Sequence, residues 1–133
     1  MNKNTLSLLE GYIKKAKDKL SAAEILLKNN EYDDAVSRAY YCAFHAAQAL
    51  LLTEGIEAGA HHGVVTLFGL HFVNTEKFDK KFGKMLNNLK DDRENGDYDV
   101  FSVIEEEDAA QALDEARQFL KGAEEYLKKY LKK

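Results

Sequence analysis

At 133 residues the chain suits one domain with a real core, and with 45% apolar and 32% charged residues it has a folded, not a disordered, composition. Its net charge of −4 gives no basis for tight general binding of nucleic acid by the molecule as a whole. Its single cysteine, Cys42, excludes an internal disulfide and a cysteine-rich zinc site.

The first predicted element is a helix over residues 5–29. Leu9, Ile13, Ala16, Leu20, Ala23 and Leu27 recur at steps of 4 and 3 and form one apolar stripe. The same N-terminal stretch has no uninterrupted apolar run of signal-peptide type. No segment approaches the roughly 20 apolar residues of a membrane helix. A cytoplasmic protein is expected, with no membrane association. The absence of proline suits long helices.

A second helix is predicted over about 31–54, stopping near Gly55, and a shorter one over about 62–73. A fourth spans about 77–94, with Asn95-Gly96 as its stop. The last covers 106–130, with Ala109, Leu113, Ala116, Leu120, Ala123, Leu127 and Tyr130 as its stripe. Acidic residues lead it and lysines close it, as the helix dipole favours, and Ser102 is the expected N-cap with Glu105 three residues on. Large and small residues alternate in both outer stripes, which lets the first and last helices approach closely. No strand-type alternation occurs and the connections are short. The predicted fold is all-α: one domain, 1–133, an antiparallel bundle of about five helices, four long and one short.

The second helix carries the unusual chemistry. SRAYYCAFHAAQALL, residues 37–51, is apolar or aromatic nearly all round, yet contains Arg38 and His45. At 100° per residue the two differ by about 20° around the axis and ~10.5 Å along it, with Tyr41 between them. A helix apolar on every side must be covered on every side, by another helix or by another subunit. A twin copy of the chain is the expected cover for the flank bearing Arg38, Tyr41 and His45. The plainer alternatives are an Arg38–Asp34 pair one turn apart, an Arg38 side chain reaching water, and a neutral, hydrogen-bonded core histidine.

Three segments in order, RAYYCAFHAAQALLLTEGIEA, HHGVVTLFGLHFV and LKDDRENGDYDVF, resemble small prokaryotic HEPN-type proteins (higher eukaryotes and prokaryotes nucleotide-binding domain) over nearly the whole chain. The resemblance implies a homodimeric helical bundle. It further implies one of three roles: a metal-independent RNase or toxin, a partner of a minimal nucleotidyltransferase antitoxin, or a nucleotide- or RNA-binding module. The family's RNase motif is an arginine, four to six residues, then a histidine, near the dimer axis. Arg38 and His45 fit the letters with six residues between them, but lie early in the chain. Arg93 lies where the late motif belongs, and there Asp97 and Tyr98 follow in place of a histidine. Neither replaces an imidazole titrating near neutrality.

His61 matches a histidine of the family pattern and, with His62, opens the short helix. Free N–H groups there suit a phosphate, and the plain alternative is a polar first turn packed on the bundle. His71 reads as structural. No metal-binding spacing, phosphate loop or serine-nucleophile motif occurs, so no cofactor is expected. The C-terminal lysines read as a solvated helix end.

Three functions are compatible with these residues. One is a dimeric nucleotide- or RNA-binding module partnering a minimal nucleotidyltransferase. Another is an endoribonuclease with His45 as base and Arg38 or Arg93 on the phosphate. The third is a structural homodimer. Arg38, Tyr41, His45, His61, Arg93, Asp97 and Tyr98 are the candidate cleft residues.

Overall fold

The computed structural model describes residues 1–59 and 61–131; the side chains of residues 61 and 62 lie outside the description. The elements are α1 (Lys3–Lys28), α2 (Tyr32–Leu52), α3 (His61–Phe68), α4 (Lys80–Tyr98) and α5 (Glu106–Leu131). A π-helical turn, Gly69–Val73, continues α3. Among the described residues all regular structure is helical, as the periodicity predicts, and no helix is long and apolar enough to cross a membrane.

Local chemistry sets the ends. The Asn2 side-chain oxygen accepts from the Thr5 N–H at 2.8 Å, and Asp79 accepts from the Lys81 N–H at 2.9 Å, which caps α1 and α4. Two boundaries differ from expectation. Asn95-Gly96 does not stop α4, which runs on to Tyr98. Gly96 is a packing residue instead: a Cβ there would stand 2.7 Å from Ile104 Cδ1 and 3.6 Å from Asp33 Cα. Ser102 does not cap α5 either. The helix begins at Glu106, and the Asp108 carboxylate reaches back to accept from the Glu105 N–H at 3.0 Å. That is the reciprocal half of a capping box, three residues further along than predicted.

The core follows the two stripes. Leu9, Ile13, Ala16 and Ala23 of α1 are buried, as are Ala109, Leu113, Ala116, Leu120, Ala123 and Leu127 of α5. The alanines keep helix surfaces close, and dense packing of this kind gives each buried side chain its dispersion contacts. Phe68, Phe72, Phe78 and Phe119 meet in one aromatic cluster, Phe68 and Phe72 stacked and the other pairs edge-to-face or tilted, that joins the α3 segment to α5.

Helix α2 is the central element. It packs on α1, α5, α4 and α3, and from Ala46 to Leu52 every residue is buried. Most of the covering that a helix apolar all round demands is thus provided by α1, α5 and α4 of the same chain, with a smaller share from α3. The flank bearing Arg38, Tyr41 and His45 is the part left incompletely covered: Arg38 is exposed, and Tyr41 and His45 are half-buried. Arg38 reaches water, one of the alternatives its position allows. It is exposed, and among the described residues it forms no ion pair with Asp34 or any other acid. It stands in the second turn of α2.

Candidate functional site

Five of the predicted residues, Tyr41, His45, Arg93, Asp97 and Tyr98, fall into two adjoining groups that share Tyr41. In the first, Arg93 of α4 lies against α2. Its guanidinium carbon sits 5.1 Å from the Tyr40 ring centroid, 5.5 Å from Tyr41 and 5.7 Å from Tyr98. Distances of this size are those of cation–π contacts. Nη1 meets Asp97 Oδ2 at 3.5 Å, a loose ion pair one turn along α4. Nε is buried and meets no acceptor among the described residues. Burial opposes the cation, but a hydrogen bond to Tyr98 and the surrounding phenols outweigh it and leave the guanidinium pKa raised. Burial pushes the Tyr40 phenol up to about 12, against the lowering influence of Arg93. The R-x-x-x-D-Y run therefore folds into a local cluster with the tyrosine pair of α2, a charged group fixed in place among phenol rings and one carboxylate.

The second group surrounds His45. A cleft of about 410 Å³ opens between α1 and α2. Tyr12, Lys15 and Lys19 line it from α1, and Tyr41, Phe44, His45 and Gln48 from α2. The Tyr12 and His45 rings are nearly parallel, 12° apart in plane with centroids at 6.4 Å, and the Tyr41 ring lies 6.2 Å from His45. Burial and the charge of Glu57 raise the Tyr12 phenol pKa.

Hydrogen bonding fixes the histidine tautomer. Gln48 Nε2 donates to the Ala58 carbonyl at 2.7 Å, and only the amide nitrogen can do so. Gln48 Oε1 consequently faces His45 Nδ1 at 2.8 Å and must accept from it. Neutral His45 thus carries its proton on Nδ1 and its lone pair on Nε2.

Arg38, though only about 20° from His45 around the helix, is not among the residues lining this cleft. His61 begins α3, but its side chain lies outside the described residues. His71 is half-buried in the π-helical turn. Among the described residues no group of three or more His, Cys, Asp or Glu is placed to hold a metal. The sequence reading missed Tyr12, Lys15 and Lys19. Their spacing of 3 and 4 puts them on one face of α1 beside the buried stripe, a signal that was available.

These features define an all-helical bundle domain with a basic and aromatic cleft beside a tyrosine-held arginine. The family model for the HEPN domain matches residues 9–126, and the chain belongs to that family. It is 38% identical to "Putative toxin MJ0605" of Methanocaldococcus jannaschii over 131 residues, 98% of this chain and 97% of that one. It is 37% identical to "Putative toxin MJ0142" of the same organism, over 90% of this chain and 81% of that one. A UPF0332 protein of Thermotoga maritima is 35% identical over 90% of this chain and 91% of its own length.

Proposed function

We propose that this protein is a homodimeric, toxin-like HEPN module that binds nucleotide or RNA and works with a minimal nucleotidyltransferase as its antitoxin partner. The carrying observation is Arg93, with Tyr40, Tyr41 and Tyr98 around its guanidinium and Asp97 on Nη1. A permanent cation among flat rings suits recognition of bases and phosphate. The cluster contains no imidazole among its described neighbours, so it favours binding over acid–base turnover. The toxin names of two relatives support the wider role. An exposed apolar run between α4 and α5, with Val100 90% and Phe101 93% accessible, supports an interface with a second copy.

The test is co-expression with a minimal nucleotidyltransferase, followed by light scattering and RNA-binding measurements. The reading expects a two-chain mass for the protein alone, a stable complex with the nucleotidyltransferase, and retention of RNA. A monomer that captures neither RNA nor that partner would sink it.

A second reading, a metal-independent endoribonuclease, is favoured by the tautomer of His45. A lone pair on Nε2, held in direction by the Gln48–Ala58 relay, is the arrangement a general base needs to take the proton of an RNA 2′-hydroxyl. Arg93 or the exposed Arg38 would steady the phosphate. General acid–base assistance is worth about 10²–10⁴ in rate, so His45→Ala should abolish most cleavage measured in EDTA. RNA left intact by the wild-type protein under those conditions removes this reading.

A further inference from the structure

Resting on the RNA-binding reading above, we propose that the cleft between α1 and α2 holds one nucleotide of single-stranded RNA. Its base stacks on the Tyr12, Tyr41 and His45 rings and its phosphate lies on Lys15 and Lys19. The site is distinct from the Arg93 cluster, although Tyr41 belongs to both.

The lysines make the first argument. Lys14 and Lys17 of the same helix are ion-paired, to Asp18 at 2.8 Å and Glu124 at 3.1 Å. Lys15 and Lys19 form no ion pair among the described residues, and they are the two that line the cleft. Standing one turn apart, they repel each other, and a phosphate between them relieves that repulsion. A protein of net charge −4 thus offers a local cationic pair beside aromatic rings.

The rings make the second. Tyr12 and His45 present nearly parallel planes and Tyr41 is tilted by 33° to His45, so a flat base finds stacking faces in one small volume. At about 410 Å³ the cleft lies toward the small end of the ~300–1,000 Å³ typical of ligand pockets. That volume takes a single nucleotide out of a strand and excludes a duplex, whose bases stay stacked inside the helix.

The third argument concerns selectivity. Gln48 is the lining amide that would otherwise read a base edge, but its nitrogen is held by Ala58 and its oxygen by His45. Gln48 therefore reads no base edge, which leaves ring faces and lysine charge as the main source of affinity.

The test is fluorescence anisotropy with a labelled, mixed-sequence single-stranded RNA of about ten nucleotides, titrated at several salt concentrations with the full-length protein. Two lysines on one strand contribute roughly −1.4 to the slope of log K against log[salt], since each phosphate neutralised on a single strand contributes ~−0.7. The Lys15→Gln/Lys19→Gln variant should bind at least several-fold more weakly at low salt, with a slope shallower by about that amount. Tyr12→Ser should weaken binding roughly tenfold and Tyr12→Phe should restore it, as expected for stacking. Duplex RNA should compete poorly. If the wild type binds RNA but the double-lysine variant binds with the same affinity and slope, the cleft is not the site and the RNA-binding reading survives. If the wild type binds no RNA even at low salt, both fall together. Should Tyr12→Ser lose its helical circular dichroism, the lysine variant, altered only at side chains that reach solvent, decides alone.

Discussion

Gln48 is only 4% exposed and engages both ends of its amide on fixed partners. Replacing it with leucine keeps the volume but leaves the Ala58 carbonyl and His45 Nδ1 without their partner. Groups stranded in this way cost about 1–3 kcal/mol, so the urea midpoint of Gln48→Leu should fall accordingly. An NMR titration should also show the imidazole no longer held in one tautomer; an unchanged tautomer would contradict the relay. Glu115 makes the opposite case. It is buried on α5 and accepts from Asn88 at 3.2 Å. Burial raises its pKa, the Asn88 bond lowers it, and Asp92 and Asp114 raise it further. Burial, Asp108 and Asp91 raise the pKa of Asp92. A carboxyl whose folded pKa lies above its unfolded value contributes stability below the unfolded value and loses it as pH rises through the folded one. This pair therefore works against the fold at neutral pH and relents as the medium is acidified toward the upper carboxylate range. Glu115→Gln keeps an acceptor for Asn88, should raise the melting temperature at pH 7, and should flatten its dependence on pH just above the carboxylate range. A lowered melting temperature at pH 7 would refute this.

At the scale of elements, α1 and α5 were legible because one face of each is buried or half-buried along its stripe, so period and burial coincide. The end of α4 was not. Asn-Gly is a turn pair by local preference, but here tertiary contact outweighs it, since α4 can lie close to Asp33 and Ile104 only where a residue lacks a side chain. Gly122 has the same role on α5, where a Cβ would stand 2.6 Å from Phe82 Cε1 and 2.9 Å from Cζ. Alanine there gains about 1 kcal/mol of helix propensity but meets a ring wedged between Phe78 and Phe119. Overpacking costs ~1–3 kcal/mol, so Gly122→Ala should lower stability by roughly 1 kcal/mol in thermal denaturation. A stabilised variant would mean that Phe82 moves freely. The site was half legible for a related reason. Helical angles place Arg38 beside His45, but they do not say which neighbour covers which arc. The exposure of Arg38 and the place of Lys15 and Lys19 on the α1–α2 cleft depend on how the helices pack, which spacing along one helix does not give.

For the whole molecule, the apolar run after α4 is the least explained surface. Asp99 holds it in a turn, accepting from the Phe101 N–H at 3.0 Å through its side chain and from the Ser102 N–H at 3.3 Å through its backbone. Val100, Phe101 and Val103 are presented outward by that ordered turn and are 78–93% accessible. Surface substitutions of this sort change stability by only about 0.5 kcal/mol. Val100→Ser/Phe101→Ser should therefore melt like the parent, yet shift from a two-chain to a one-chain mass in light scattering if this run joins the proposed dimer. A double variant that keeps the parent mass would place the interface elsewhere.

Cys42 sits at the centre of α2 with no accessible surface, and burial, with smaller contributions from Glu124 and Glu24, pushes its thiol up to about 12. A thiol so masked reacts with an alkylating reagent only during the moments when α2 separates from α1 and α5. The single sulfur is thus an internal clock for rare opening of the bundle: its labelling rate, followed with and without RNA, reads out how far a bound strand holds the helices shut.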